Sequence, residues 1–344
     1  MKKLQYFIFI ILILFSLSGC PELTQIADCT IVVTFPDANL EAAIREKIGK
    51  PIGEICLCDV EFITSFSGYG RKIYDLTGIE NLTSLQYLNL SDNSINDISA
   101  LTGLTSLQSL NVNDNSIYNI SALTGLTSLQ SLQLNANSIS DISALTGLTS
   151  IQSLHLSANS VSDISALTGL TSLGSLDLSD NSINDISVLT NLTSLQYLDL
   201  SENSINVLAD FTSLLYLNLS DNSISDISAL TGLTSIQSLH LSDNSISDIS
   251  ALTGLTSIQE LSLSDNKISN ISALTGLTSV QKLGLSDNSI SDISALVNNS
   301  GIGDGDVVNL WSNPLSDSSI NIYIPELIAR GVDVGYYCSS AALE

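Results

Sequence analysis

The chain has 344 residues, a formal charge of −25 and a 44% hydrophobic fraction in which aromatics are only 5% of residues. Leu and Ile therefore carry the apolar content, as when one small packing motif is copied many times, and the usual division of length into domains does not apply to such an array. No Lys or Arg occurs between Lys72 and Lys267, a stretch holding nineteen Asp and Glu, and a surface of that sign excludes nucleic acid and anionic headgroups as partners.

The chain opens with Lys2 and Lys3, followed by an apolar run from Tyr6 to Phe15. That is the form of a secretory signal peptide, and the run falls well short of the roughly twenty residues a membrane span needs. Leu17-Ser18-Gly19-Cys20 resembles a bacterial lipobox. The resemblance implies cleavage after residue 19, lipidation of Cys20 and acylation of the new amino terminus. Residues 20–30 then form a short tether, and lipid at Cys20 is the only membrane contact. The expected location is the bacterial cell envelope, lipid-anchored at a membrane or the cell surface.

Export permits a disulfide. Cys29, Cys56 and Cys58 all precede the regular repeats, so a bridge from Cys29 to either Cys56 or Cys58 would staple this end. Cys338 lies beyond the far end. Counting eleven strands at about 4.8 Å puts it roughly 50 Å away, outside the roughly 7 Å Cα reach of a disulfide, so it is expected to be unpaired within the monomer. Cys56-x-Cys58 has no second Cys or His pair to complete a zinc site. No metal or cofactor is expected.

Self-similarity dominates the rest of the chain. The unit is seen at Leu230 to Ala251, and its recurring Asn stands at Asn93, Asn115, Asn137, Asn159, Asn181, Asn203, Asn222, Asn244, Asn266, Asn288 and Asn313. The spacing is 22 residues, except 19 between Asn203 and Asn222 and 25 before Asn313. Within each unit the pattern L-x-x-L-x-L-x-x-N-x-I, as in Leu107, Leu110, Val112, Asn115 and Ile117, is the leucine-rich-repeat signature. It predicts one short strand per unit and a solenoid, a curved rod with a parallel sheet on its concave face. The Asn amide is positioned to satisfy backbone groups of its turn and of the next repeat that burial would otherwise leave unpaired. The return segment Ile-Ser-Ala-Leu-Thr-Gly-Leu is too short for a full helix, so 3₁₀ turns and loops are expected on the convex face.

On these repeats the chain, over roughly residues 31–336, resembles the bacterial internalin-like leucine-rich-repeat group. Val33-Thr-Phe-Pro-Asp-Ala-Asn-Leu-Glu-Ala-Ala-Ile44 resembles that group's helical N-cap, with Leu40, Ala43 and Ile44 covering the first repeat. Ile63 to Leu76 is a worn first repeat with Arg71 in place of Asn. Residues 31–75 are accordingly cap and degenerate repeat, and 76–300 are regular repeats. Residues 301–336 form a terminal repeat and C-cap, including a closing helix and strand over Ile324 to Val334. Residues 337–344 are a tail. The resemblance implies binding of an extracellular protein. The chain departs from the group in having no Ig-like continuation or sortase anchor and in carrying the lipobox.

Three outward columns of the strands can be read off. Against repetitive Ser and Asn, Tyr197, Tyr216, Asp177, Asp199, His155 and His240 break the pattern. Tyrosines with polar neighbours suit a protein interface. Repetitive Ser and Asn columns also suit a structural envelope protein that binds glycan or itself. His155 beside Asp177, with Ser153 and Ser157 near, superficially supplies a hydrolytic triad. Nothing in the pattern builds a pocket or an oxyanion site, so no enzyme is expected. The acidic column Asp92, Asp114, Asp180, Glu202, Asp221, Asp243, Asp265 and Asp287 is one carboxylate per repeat. That is not the compact oxygen shell calcium needs, and these acids are read as solvated. The short repeat before Asn222 is expected to notch the convex side near Phe211.

Overall fold

The structure, a computed structural model, describes residues 30–337. The signal segment 1–19, the lipobox with Cys20, nearly all of the 20–30 tether, Cys29, Cys338 and most of the 337–344 tail lie outside the described residues. Among the described residues no helix is long and apolar enough to cross a membrane.

Thirteen three-residue strands form one parallel sheet in simple sequence order. They are β1 Ser65–Ser67, β2 Tyr87–Asn89, β3 Ser109–Asn111, β4 Ser131–Gln133, β5 Ser153–His155, β6 Ser175–Asp177, β7 Tyr197–Asp199, β8 Tyr216–Asn218, β9 Ser238–His240, β10 Glu260–Ser262, β11 Lys282–Gly284, β12 Val307–Asn309 and β13 Asp333–Gly335. This architecture is a leucine-rich-repeat solenoid. The sequence count of eleven strands is corrected to thirteen. The recurring Asn marks only β2 to β12, and the outermost strands β1 and β13 belong to units that lack it.

Each strand from β1 to β12 shows only its central residue to the core, while Val334 at the centre of β13 is half-buried. Leu110 and its equivalents are buried, while the residues on either side are exposed or half-buried. The following Leu or Val, then Ile, Ile, Leu and Leu, complete a continuous apolar column, as in Val112, Ile117, Ile120, Leu123 and Leu126, each no more than 1% exposed. The return segments are 3₁₀ turns, among them Ser99–Leu101, Ser121–Leu123 and Ser250–Leu252. Each is preceded by an Asp or Asn whose Oδ1 accepts the amide two residues on, as Asp97 does from Ser99 at 2.8 Å.

The position before each recurring Asn is left-handed. Asp92, Asp114, Asp180, Glu202, Asp221, Asp243, Asp265 and Asp287 have φ between 50° and 58°. Asp tolerates this region better than most L-residues because its short polar side chain bonds locally. The acidic column thus has a backbone reason, beyond the solvated role read from the sequence. Ala136 and Ala158, at φ 52° and 54°, occupy the same position without that local compensation.

The N-terminal end is closed by α1 Ala38–Ile48, whose Leu40, Ala43 and Ile44 are buried against the first repeat. The N-cap is Asp37 and the C-cap is Gly49 at φ 66°. Arg71 pairs with Glu46 on this helix at 2.7 Å. Gly78, at φ 104°, lies so close to the cap that a Cβ there would stand 2.5 Å from Thr34 O and 2.6 Å from Phe35. A short helix α2, Leu57–Val60, comes next. Cys58 is disulfide-bonded, with its partner outside the described residues, and Cys56 is free. At the other end, α3 Ser294–Asn298 and α4 Ile324–Ala329 precede β13, with Ile324 and Leu327 buried.

Candidate binding face

The side chains flanking each buried strand centre stand in columns because the register is unbroken from repeat to repeat. Ser153 lies opposite Ser175, Ser175 opposite Tyr197, Tyr197 opposite Tyr216, and Tyr216 opposite Ser238. In the neighbouring column His155 faces Asp177, Asp177 faces Asp199, and Asn218 faces His240.

The 19-residue unit does not disturb this register. Its three missing residues come out of the return segment. There a cleft of about 660 Å³ opens beside Val207, Leu208 and Ala209, next to the turn Ser187–Asn191. Phe211 itself stays 5% exposed within the core.

Tyr197 and Tyr216 stack with ring centroids 4.4 Å apart and planes within 7°. His240 tilts onto the other side of Tyr216, at 5.5 Å and 44°. Three of the six pattern-breaking residues therefore form one half-buried aromatic row across β7, β8 and β9. Burial, and after it the charge of Asp199, pushes both tyrosine hydroxyls above their ordinary pKa, so they remain neutral donors.

Asp199 Oδ1 accepts from Ser201 N and Oγ at 3.0 and 2.7 Å, and Oδ2 accepts from Asn218 Nδ2 at 3.1 Å. Asp177 repeats the first pair with Ser179, and its Oδ2 lies 3.8 Å from His155 Nδ1. Burial alone would raise the Asp177 carboxyl. Bonding to His155 and Ser179 outweighs it, and the net effect holds the group below its ordinary range.

His155 stands apart from the aromatic row. Its Nε2 pairs with Ser153 Oγ at 2.9 Å, as His240 Nε2 does with Ser238 Oγ at 2.8 Å. Ser153, His155 and Asp177 thus adjoin, but the Ser153 amide is engaged with Gln130 O at 3.1 Å, and open sheet provides no enclosed site for an oxyanion.

Beneath this face the recurring asparagines share one geometry. Asn181 Nδ2 donates to Leu156 O, Leu178 O and Ser179 O at 3.0–3.1 Å, and its Oδ1 accepts from Val161 N at 2.9 Å. Each amide joins its own turn to the preceding repeat, not to the next one as expected from the sequence. The pattern starts with Asn93 bonding Gly68 O and Ile73 N and ends with Asn313 bonding Leu285 O and Ile290 N. Asn222, across the short unit, keeps it through Leu200 O and Ile205 N.

Asp37 was not among the sequence-derived candidates, although an Asp three residues before Leu40 is an N-cap signal. Its Oδ1 accepts from Asn39 N and Leu40 N, and its Oδ2 accepts from Tyr74 N and Asp75 N. The second pair joins cap to first repeat, and nothing in the local sequence signals it.

The fold and its asparagine network define a leucine-rich-repeat protein, a class of interaction scaffold. The family described as Leucine Rich repeats (2 copies) matches residues 105–147, 127–169, 212–254 and 256–298, and that described as Leucine rich repeat matches 77–117 and 162–205. An internalin (inlF) of Listeria monocytogenes is 34% identical, with 93% of this chain and 95% of that chain covered and a TM-score of 0.83. Internalin C2 of the same organism is 32% identical over 71% of this chain and 100% of that chain, at a TM-score of 0.56. The chain belongs to the internalin family of leucine-rich-repeat proteins. A plant peptide hormone receptor, RGFR1 in complex with RGF2, shares the fold at 20% identity and a TM-score of 0.55, over 76% of this chain and 50% of that chain. No curated protein matches the chain.

Proposed function

We propose that this chain is an exported, lipid-anchored bacterial protein that binds an extracellular protein ligand through the concave sheet face, in the manner of an adhesin or receptor-binding protein. The observation that carries the reading is the stacked Tyr197–Tyr216 pair extended by His240. Aromatic side chains held half-buried on a rigid strand lose little conformational entropy on binding and are over-represented at interface hot spots. The site is grouped as Tyr197, Tyr216, Asp177, Asp199 and His240, with His155 at its edge. Family membership supports a surface-displayed protein partner. The lipobox residues Leu17 to Cys20 support the anchor.

The test is a binding screen of the full chain, native and with Tyr197→Ala plus Tyr216→Ala, against an array of extracellular proteins and glycans. The expected result is a saturable protein hit weakened roughly 1000-fold in the double variant, two hot-spot truncations each costing about 2 kcal/mol. Both positions are half-buried on the outer face, so thermal unfolding should change little. A hit indifferent to both substitutions sinks the site.

A further inference from the structure

We infer that the partner inserts a basic side chain, an arginine or lysine, into a slot over β6 between Tyr197 and the Ser153–His155 pair. This rests on the binding-face reading above and names the chemistry the face selects.

The slot arises from the side chains that each strand carries. Tyr216 covers one face of the Tyr197 ring, so the other face is turned toward β6. The residue opposite Tyr197 on β6 is Ser175, and the next in that column is Ser153. Two small side chains therefore leave about two strand spacings, roughly 10 Å, in front of the ring. Gly174 widens the opening, where the neighbouring repeats carry Gln152 and Gln196. At Gly174 the glutamine side chain is missing.

His155 does not fill the space, because its Nε2 is turned back onto Ser153 Oγ at 2.9 Å. The wall between them is Asp177, whose Oδ1 is engaged by Ser179 while Oδ2 has only the His155 ring at 3.8 Å.

A ring face, a carboxylate oxygen with room for a donor, and a small-residue floor together form a receptor for a cation. The ring quadrupole attracts it from one side and Asp177 from the other. The surroundings reinforce the sign, since no Lys or Arg lies between Lys72 and Lys267 to compete for the slot. A planar guanidinium would stack on Tyr197 and donate to Asp177 Oδ2 at once. An acidic side chain would meet Asp177 and Asp199 with no Lys or Arg nearby in sequence to offset them.

The experiment titrates the full chain with two acetylated, amidated seven-residue Gly/Ser peptides, one carrying a single central Arg and the other a central Gln, in about 20 mM salt, where screening is weak. Saturable binding of the Arg peptide and none of the Gln peptide is expected. Asp177→Asn and Ser175→Phe, the latter filling the slot from an outward position, should each weaken the Arg peptide roughly five- to tenfold. Asp97→Asn removes the same charge from the far side of the repeat, where Asn119 already plays the same role in the next unit, and should leave binding unchanged.

Equal binding of the two peptides, no binding of either, or equal losses in Ser175→Phe and Asp97→Asn would each overturn the inference. Its failure is separable from that of the binding face. A protein partner that is lost with Tyr197→Ala plus Tyr216→Ala but indifferent to Ser175→Phe keeps the face and discards the cation.

Discussion

Asn181→Ala is expected to destabilise the solenoid by about 3–4 kcal/mol, although the side chain touches no ligand. Its amide serves three carbonyls and one amide N–H across two repeats. Truncation strands these groups next to the apolar column, where each unsatisfied group costs about 1–3 kcal/mol before relaxation and water entry recover part of it. Asn181→Asp discriminates this account from simple loss of packing. Aspartate keeps the size and the acceptor for Val161 N, but it turns an anionic oxygen toward three carbonyl oxygens. The expected loss is at least as large as for alanine. Since each repeat leans only on its neighbours, hydrogen exchange is the measurement of choice. In Asn181→Ala the loss of protection should begin at Val161 N, whose acceptor is removed, and fade within a repeat or two. An Asn181→Asp variant as stable as the native chain would contradict the network's role.

The second large effect is at the cap. Asp37→Ala removes two carboxylate oxygens that together accept from four backbone amides, at a residue that is 0% exposed. A loss of about 3 kcal/mol is expected, above the usual cost of roughly 1 kcal/mol for an N-cap, because two of the amides belong to the first repeat. Burial by itself would raise this carboxyl, but the four backbone donors more than offset it, and the pKa is lowered from 3.8.

A carboxyl whose folded pKa lies below its unfolded value contributes stability that is fully present above the unfolded value. That stability is lost as pH falls through the folded value. The cap's contribution should therefore hold above about pH 5 and disappear on acidification below the ordinary carboxylate pKa. Asp37→Asn should be less stable at neutral pH, since its amide NH₂ would confront a pair of amide donors, and its stability should depend less on acid over that range. Equal acid sensitivity of the two proteins, followed by thermal unfolding, would remove Asp37 from this role.

The sequence carried the solenoid because every level repeats: the apolar spacing, the Asn and the turn residues agree in unit after unit. The outermost strands were harder to count, since β1 precedes a worn pattern with Arg71 and β13 is followed by no Asn. The acidic column was read as solvation because charge is visible in a sequence and φ is not. Its left-handed backbone explains why Asp fills most of these positions. Pattern-breaking residues singled out a candidate face, and alternation gave the side of the sheet on which they stand. Their grouping was only partly legible. Strand spacing brought Tyr197 beside Tyr216, but rotamers decide that His240 closes the row while His155 turns back to Ser153. The exchange of Gln for Gly174 acquired meaning only once the open face of Tyr197 was located. The cysteines illustrate the same limit: spacing left Cys56 and Cys58 equivalent, whereas in the structure Cys58 is disulfide-bonded and Cys56 is free.

The central claim is that the outward face of β6 to β9 is the ligand site. Footprinting of the full chain with a saturating protein partner from the array, by side-chain oxidation read residue by residue, tests it most directly. Protection concentrated at Tyr197, Tyr216 and His240, with exposed Tyr118 and Trp311 unchanged, is the predicted result. Protection confined to the convex turns, or spread evenly along the rod, would contradict it.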